Sequence, residues 1–282
     1  MIDDSLIEAS PPAPAVSAPC VARRGSEVFA SVRTVPEETA VAFTVNGATH
    51  AVMMATPADL EDFALGFAFT EGLIETPAEI SSFEVVTTEL GIEARLWLPE
   101  DRAKAYSARR RSMAGPTGCG LCGIESLEQA MRPALAVVGA RRFDAAAIVD
   151  AMASLSAGQR LHEQTHAVHA AGFWAPVRGL VALREDVGRH NALDKLVGAL
   201  ARGGISAAQG IVLLTSRVSI ELIQKAARLG APVVVAVSAP TAAAIRLAEA
   251  CGITLVAVAR GQDFEVFTHF DRIIDRAAHH VA

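Results

Sequence analysis

The sequence predicts an α/β protein in which a small N-terminal α+β domain precedes a larger, three-layer α/β domain. Strand-like segments surround one helical segment in the first hundred residues, and from His166 onward apolar strands alternate with amphipathic helices. Between these two regions, a glycine-rich segment without sustained periodicity holds Cys119 and Cys122. The alternation predicts the larger domain, and the aperiodic segment predicts a loop that joins it to the smaller one.

The chain divides into four predicted parts. The N-terminal residues are rich in Pro, Ala and Ser and cannot bury enough apolar surface to order themselves, so they predict a disordered tail. The aperiodic segment, with its arginines and glycines, predicts a mobile loop. The parts are a tail at 1–24, a small α+β domain at 25–100, a loop with C-x-x-C at 101–125 and an α/β domain at 126–282.

The elements of the N-terminal domain follow from alternation and turn residues. The alternating segment "EVFASVRTV" predicts a strand, and "AVAFTV" and "ATHAVMMA" flank Asn46-Gly47, which is typical of a hairpin with a type I′ turn. Thr56-Pro57 then predicts the start of a helix, with an N-cap and a first-position proline before apolar residues at helical spacing. The strands "SFEVVTT" and "EARLWL" complete the domain.

The elements of the C-terminal domain follow from apolar runs and helical periodicity. The segments "IESLEQAMR" and "DAAAIVDAMASL" predict helices, the second from Asp144. The predicted strands are "HAVHAAGFW", "GLVALRE", "GIVLLTS", "PVVVAVSA", "ITLVAVAR" and "FEVFTH", and helices separate most of them. Because these strands are almost continuously apolar, we expect a mainly parallel sheet covered by helices on both faces.

Composition excludes several classes of protein. The 282 residues carry a net charge of −6, which argues against a nucleic-acid partner. No apolar run reaches the roughly 18 residues of a transmembrane helix, and the acidic N-terminus lacks the pattern of a signal peptide. We therefore expect a cytoplasmic protein that does not enter a membrane and keeps its cysteines reduced.

Polar residues follow the predicted strands at the sheet edge where open α/β sheets bind ligands. Arg189 follows one strand, Ser216 and Arg217 follow a second, and Arg260 follows a third. Helices begin at several of these loops, and helix N-termini favour anions, so we expect a phosphorylated ligand such as a nucleotide. Ser, Thr, Asp and Asn are also ordinary N-caps, which is the competing interpretation of any one loop.

Other patterns in this half are less specific. No G-x-G-x-x-G motif follows a strand and no P-loop motif occurs, which disfavours a Rossmann dehydrogenase and a P-loop NTPase. His190 and Asp194 lie four residues apart on a predicted helix and are spaced to pair. His162, His166 and His169 are spaced like metal ligands, but the last two lie three apart in a predicted strand and should point to opposite faces. This favours core or hydrogen-bonded histidines and no bound metal.

Cys119 and Cys122 immediately precede a predicted helix and follow Arg109-Arg110-Arg111. A helix N-terminus and nearby guanidinium groups both favour the thiolate, so these surroundings suit a nucleophile. Half of a shared zinc site, a redox pair and an ordinary glycine-rich loop are the alternatives. Zinc is disfavoured because Cys20 and Cys251 do not form a second C-x-x-C, and the redox pair because this one ends an aperiodic loop.

Six segments, in this order, resemble the FdhD family of sulfur carriers required for formate dehydrogenase activity. They are "LEDFALGFAFTEGLI", "GCGLCG", "THA", "EDVGRHNALDKLVG", "TSRVSIELIQKAARLGAPVVVAVSAPT" and "LVAVARG", and the match extends from about residue 26 to residue 269. The resemblance implies a cytidine-deaminase-like fold for the C-terminal domain and a cytoplasmic homodimer. It also implies that a cysteine desulfurase donates sulfur as a persulfide, which is passed to the molybdenum bis-guanine-dinucleotide cofactor of formate dehydrogenase.

The resemblance also implies roles for particular residues. Cys119 would carry the persulfide and Cys122 would assist or resolve it, and GDP would mimic the cofactor. The family's cofactor-binding loop corresponds to Val258, Ala259, Arg260, Gly261, Gln262 and Asp263. The alternative function is a chaperone that binds the guanine-nucleotide cofactor and uses the C-x-x-C structurally or for zinc. A zinc nucleoside deaminase is disfavoured because its H-x-E and P-C-x-x-C signatures are absent.

Overall fold

The structure is a computed structural model that describes residues 10–99, 135–139 and 141–274. Cys119 and Cys122, the loop predicted over 101–125 and the helix predicted over 124–132 all lie outside the described residues. Within the described part of the chain, no helix is long and apolar enough to cross a membrane.

An antiparallel hairpin of strands β1 (Ala15–Arg24) and β2 (Glu27–Pro36) precedes the small domain. The prediction of a disordered tail to residue 24 is therefore wrong for residues 15–24. The two strands pair along their whole length, and most of their side chains remain exposed. Composition measures how much apolar surface a segment can bury, and it does not detect backbone hydrogen bonds to a neighbouring strand.

The small domain packs one helix on a four-stranded sheet. Its elements are β3 (Thr39–Val45), β4 (Ala48–Ala55), α1 (Leu60–Thr70), β5 (Ser82–Thr88) and β6 (Gly91–Trp97), with the sheet order β4-β3-β6-β5. The predicted type I′ turn is confirmed, since Asn46 and Gly47 have φ angles of 49° and 79°. The sheet and the helix share one apolar core, in which the ring of Phe43 stacks on Phe67 at 4.2 Å.

Helix α1 begins at Leu60, three residues after the predicted start at Pro57. Asp59 directly before it is left-handed, with a φ angle of 54°, and makes no side-chain cap. Thr56 does not cap the helix because its hydroxyl accepts the amide of Val187, in the other domain, at 3.1 Å, and its own amide donates to Asp186 at 3.0 Å. A tertiary contact thus decides where the helix begins.

The C-terminal domain is a six-stranded sheet with helices on both faces, which confirms the predicted α/β class. Its elements are β7 (Phe143–Asp144), α2 (Ala145–Gly158), α3 (Arg160–Thr165), β8 (His169–Ala175), β9 (Gly179–Asp186), α4 (Arg189–Arg202), β10 (Ile211–Leu214), α5 (Ile220–Leu229), β11 (Val233–Ala236), α6 (Ala242–Cys251), β12 (Thr254–Arg260), β13 (Asp263–Val266) and β14 (Ile273–Ile274). The order in the large sheet is β13-β12-β11-β10-β8-β9, while β7 and β14 form a separate pair.

Alternate residues of the central strands face different helices. Val212 and Leu214 of β10 pack in the core formed with α4, α5 and α6, whereas Ile211 and Leu213 pack in the core formed with α2. Both faces of the strand are therefore covered, which explains why its sequence is continuously apolar.

The large sheet is mixed, so the prediction of a mainly parallel sheet is only partly right. β10, β11 and β12 are parallel neighbours, but β8 is antiparallel to both β10 and β9, and β13 is antiparallel to β12. Burial on two faces makes any strand apolar, so the hydrophobic pattern does not reveal its direction. The short connections between β8 and β9 and between β12 and β13 are hairpin connections, which only antiparallel neighbours allow.

The two domains meet where helix α1 crosses helix α4 at backbone contact distance. A Cβ atom placed on Gly66 would lie 1.7 Å from the carbonyl oxygen of Asp194, and one placed on Gly198 would lie 1.8 Å from that of Asp62. Glycine on each helix thus permits the approach. The Asp62 carboxylate also forms a salt bridge with the Arg184 guanidinium of β9 at 2.6 Å, which adds a charged contact between the domains.

Candidate functional site

The loops after the three parallel strands are hydrogen-bonded to one another. The amide of Val218, after β10, donates to the carbonyl of Ala239 at 3.3 Å, and the amide of Thr241 donates back to Val218 at 3.0 Å. The amide of Val258, near the end of β12, donates to Ser238 at 3.4 Å. Residues 215–219, 237–241 and 258–263 therefore form one continuous surface, which we call the strand-end ledge.

The loop expected to bind the cofactor forms one end of the strand-end ledge. A β-bulge interrupts the pairing of β12 with β13, and Val258 has a φ angle of 55°. Gly261, with a φ angle of 60°, turns the chain. The Arg260 Nε donates to the carbonyl of Val237 at 3.4 Å. Four of the six expected residues are exposed, namely Arg260, Gly261, Gln262 and Asp263.

The other two expected residues of this loop are less accessible. Val258 is half-buried, and the Ala259 side chain packs in the core beside α2. Ala259 can therefore contribute only backbone groups to a ligand. Ala259 lies next to the β-bulge, and the loop requires this backbone position and not the side chain.

Ser216 and Arg217 lie on the middle of the strand-end ledge, as the sequence predicts, but they face differently. Ser216 is buried, and its hydroxyl donates to the carbonyl of Arg217 at 3.2 Å, whereas Arg217 is exposed. Thr215 connects the end of β10 to the start of β8 by two hydrogen bonds. Its amide donates to the carbonyl of Ala170 at 3.1 Å, and its hydroxyl accepts from the Ala170 amide at 2.8 Å. Arg217 is thus the charged group that this loop offers to a ligand.

Arg189 is the first residue of α4, and its Nε is buried without a hydrogen-bond partner among the described residues. The next residue, His190, pairs with Glu221 at 3.0 Å, and Ser219 donates to the same carboxylate at 2.8 Å. The hydrogen bond from His190 holds the pKa of Glu221 below its ordinary value against the opposing effect of burial. His190 therefore has a structural partner, while the structure describes none for the Arg189 Nε.

The predicted pairing of His190 with Asp194 does not occur. Asp194 instead accepts hydrogen bonds from Lys225 at 2.9 Å and from Thr70 at 2.7 Å, and it is fully buried at the domain contact. Spacing of four residues places two side chains on one side of a helix, but the tertiary neighbours of each decide which partner it takes.

A cavity of about 570 Å³ opens beside the strand-end ledge and brings three histidines together. We call it the histidine cavity; its lining residues are Ser156, Gln159, His162, His166, Ala167, Val168, His169, Thr215 and Val237. The expectation that these histidines are separated is wrong. His166 ends α3 with a φ angle of 54° and is not part of β8, so it lies on the same side as His162, with ring centroids 5.4 Å apart.

The spacing His-x3-His-x2-His in the sequence indicates that the three histidines could lie together. The prediction that His166 belongs to a strand led to the opposite expectation. Burial and the nearby Arg189 charge hold the pKa of His169 below its ordinary value, so its imidazole is neutral at pH 7. No group of three His, Cys, Asp or Glu residues within the described ranges has a geometry that fits a metal ion.

Of the four cysteines, only Cys20 and Cys251 belong to the described part of the chain. Burial raises the pKa of the Cys251 thiol, which disfavours the reactive thiolate. Cys20 is exposed in strand β1, where it lies on the N-terminal hairpin. The sulfur chemistry expected of Cys119 and Cys122 stays a prediction.

Comparison with known proteins identifies the family. The model of the FdhD/NarQ family matches residues 36–274. The chain belongs to the FdhD/NarQ family. It is 57% identical over 244 residues to a protein of Agrobacterium fabrum named sulfur carrier protein FdhD, covering 86% of this chain and 90% of that protein. It is 53% identical over 256 residues to a protein of the same name from Brucella abortus, covering 90% and 95%.

One solved structure has a similar fold. It is the crystal structure of a protein from Desulfotalea psychrophila, described as a formate dehydrogenase accessory protein, with a TM-score of 0.71 and 26% identity. The alignment covers 92% of this chain and 99% of the other. The two-domain architecture is thus similar to that of a solved protein.

Proposed function

We propose that this protein is a sulfur carrier that accepts persulfide sulfur from a cysteine desulfurase and transfers it to the molybdenum bis-guanine-dinucleotide cofactor of formate dehydrogenase. The observation that carries the proposal is the strand-end ledge, where three loops join and present Arg217 and Arg260. Such an edge binds phosphorylated ligands in open α/β sheets. The names of the relatives from Agrobacterium and Brucella support the sulfur-carrier role.

One round of sulfur transfer uses only the two cysteines of the C-x-x-C. The Cys119 thiolate attacks the terminal sulfur of the desulfurase persulfide, a new S–S bond forms, and the desulfurase cysteine leaves as a thiolate. Cys122 then attacks the inner sulfur of the Cys119 persulfide and releases the outer sulfur as sulfide. The two electrons that reduce this sulfur come from the two thiols, which become a disulfide. The sulfide replaces an oxo ligand of the molybdenum, and the oxygen leaves as water.

The role of the strand-end ledge is to hold the cargo while sulfur is delivered. The exposed guanidinium groups of Arg217 and Arg260 can form charge-assisted hydrogen bonds to the phosphates of the cofactor. Gln262 and Asp263 are exposed beside Arg260 and can contact the guanine or the ribose. GDP, which has the same guanine and diphosphate, should therefore bind as a mimic of half the cofactor.

The proposal implies partners and a compartment. The partners are a cysteine desulfurase, formate dehydrogenase and a second copy of this chain, since a cofactor with two guanine dinucleotide arms suits a two-fold assembly. The chemistry requires reduced thiols, which agrees with a cytoplasmic location.

The decisive experiment replaces the carrier thiol. Cys119→Ser should fold normally and still bind GDP, but it should leave formate dehydrogenase assembled and inactive in cells that lack the native protein. Cys122→Ser should be milder because external thiols can partly replace a resolving thiol. Cys20→Ser and Cys251→Ser are the matched controls and should retain activity, which is measured as formate oxidation in extracts.

Full formate dehydrogenase activity with Cys119→Ser would refute the carrier mechanism. The protein would then be a chaperone that only binds the cofactor.

A further inference from the structure

The histidine cavity lies outside the loop that resembles the family's cofactor-binding loop, but the two adjoin. Val237 lines the cavity, and its carbonyl accepts the hydrogen bond from Arg260. Thr215 lines it from the end of β10, so the cavity lies at the same carboxyl edge of the sheet. A ligand on the strand-end ledge can therefore extend into the histidine cavity.

The two carboxylates at the end of β9 are held by other partners and do not line the cavity, although Asp186 still favours protonation of His169. Glu185 accepts the backbone amides of Leu161 and His162, both at 2.8 Å. Asp186 is fully buried, bonds the Lys195 ammonium at 2.6 Å, and also accepts three hydrogen bonds. No aspartate or glutamate belongs to the described lining of the cavity.

Two buried nitrogens near the cavity lack a partner among the described residues, which is unusual for buried polar groups. They are Nδ1 of His162, which lines the cavity, and Nε of Arg189, whose charge is close enough to influence His169. Leaving such groups without a hydrogen bond costs free energy, and an oxygen-rich ligand towards which these side chains rotate would recover it. The lining of the cavity thus offers imidazole nitrogens with the Arg189 charge nearby, and it contains no carboxylate.

We propose that the histidine cavity binds a phosphate or pyrophosphate group, with His162 and His169 as hydrogen-bond donors and Arg189 as a nearby positive charge. This inference deepens the proposed function, because the nucleotide on the strand-end ledge is the expected source of such a group. The phosphate chemistry is the same for free pyrophosphate and for a nucleoside diphosphate, and the experiment below separates the two.

Binding of this kind should be linked to proton uptake. The groups that act on His169 are Arg189, His162 and His190, which disfavour its protonation together with burial, and Asp186, which favours it. A phosphate dianion within hydrogen-bond distance adds negative charge and favours the imidazolium. The complex should therefore take up protons from solution between about pH 6 and 8, near the ordinary pKa of histidine.

The experiment measures binding of pyrophosphate, GDP and guanosine to the full chain by isothermal titration calorimetry, in two buffers of different ionisation enthalpy. Pyrophosphate and GDP should bind with proton uptake, and guanosine, which lacks phosphate, should bind much more weakly than GDP. His162→Gln and His169→Gln should each weaken pyrophosphate binding by roughly tenfold or more, as expected for loss of a hydrogen bond to a charged group.

The matched control is His269→Gln. The His269 ring bonds the carbonyl of Glu249, and its own carbonyl accepts from Thr254 at the opposite end of β12, so this variant should bind as the native protein does. Histidine Cε1 resonances of the unmodified protein provide a measurement that needs no variant, since pyrophosphate should shift two of them and raise the pKa of one.

Unchanged pyrophosphate affinity in both glutamine variants would overturn the proposal. So would equal affinity for guanosine and GDP, or capture of Zn²⁺ that the variants abolish while pyrophosphate binding is unaffected. If Arg260→Ala weakens GDP binding and the histidine variants do not, the histidine cavity is not a phosphate site and the proposed function stands. If the histidine variants weaken binding but Cys119→Ser keeps full activity, the phosphate site stands and the carrier mechanism fails.

Discussion

The domain contact and the carboxyl edge of the large sheet both contain many charged residues. They differ in whether these residues have hydrogen-bond or ion-pair partners within the protein. At the domain contact, Asp186 bonds Lys195 at 2.6 Å and accepts the Thr56 amide at 3.0 Å, and Lys225 bonds Asp194 at 2.9 Å. At the sheet edge, nitrogens of Arg189 and His162 have no partner in the part of the chain that the structure describes, and Arg217 and Arg260 are exposed.

This difference separates residues that hold the fold from residues that are available to a ligand. Both kinds occur in one sequence segment, "EDVGRHNALDKLVG", at residues 185–198. Asp186, Asp194 and Lys195 point into the domain contact, while Arg189 lies at the sheet edge beside His169. Charged residues in a motif therefore indicate function only after their partners are known.

The largest effect on stability is expected when one partner of an ion pair at the domain contact is removed. Lys195→Met should lower the free energy of unfolding by about 3–5 kcal/mol, because it leaves the fully buried Asp186 carboxylate without its counter-charge. Urea denaturation followed by circular dichroism measures the change. A loss below about 1 kcal/mol would show that the pair does not hold the domains together.

The matched change at the sheet edge is Arg217→Ala. It should alter the free energy of unfolding by no more than about 0.5 kcal/mol, as for other surface substitutions, because the side chain is exposed. It should nevertheless reduce the increase in melting temperature that GDP produces, since a ligand that binds only the folded state stabilises it. Equal GDP stabilisation of the variant would contradict the role given to the strand-end ledge.

A second test concerns the helix crossing at the domain contact. Alanine normally stabilises a helix by up to about 1 kcal/mol relative to glycine. In Gly198→Ala the sign should reverse, with a loss of about 1–3 kcal/mol, because the new Cβ would lie 1.8 Å from the carbonyl of Asp62 and the helices must separate.

The control for this test is Gly158→Ala at the end of α2. There the new Cβ would meet only the side chains of Leu183 and Leu180, at 3.1 and 3.2 Å, and flexible side chains can move. Its effect on unfolding should be small. A stabilising Gly198→Ala would mean that α1 and α4 do not approach as closely as described.

The smallest expected effect is the pH dependence from the sheet edge. The pKa of His169 is lowered in the folded protein, so its contribution to stability is complete above the unfolded pKa of 6.5 and is lost as the pH falls towards the folded pKa. Native protein should therefore lose more stability than His169→Gln as the pH is lowered below about 6.5. Parallel curves of unfolding free energy against pH for the two proteins would contradict this.

Most local structure could be predicted because it depends on neighbours in sequence. The Asn46-Gly47 turn depends on turn chemistry, and the helix that follows Asp144 depends on the spacing of its apolar residues, both within a few residues. The expected site residues Arg217 and Arg260 could be found because parallel strands end at one edge of a sheet. The later start of α1 could not be predicted, because the Thr56 hydroxyl is bonded to the amide of Val187, which is 131 residues away.

By itself, the sequence determined the α/β class, most of the described strands and helices from residue 27 onward and the arginines that follow the strands, since hydrophobic periodicity and turn residues act locally. Only the tertiary structure decided the direction of β8, the pairing of residues 15–24 and the meeting of the three histidines in one cavity. The pattern of apolar side chains indicates which residues are buried. Hydrogen-bond partners lie on segments that meet only when the chain folds, so the pattern does not reveal them.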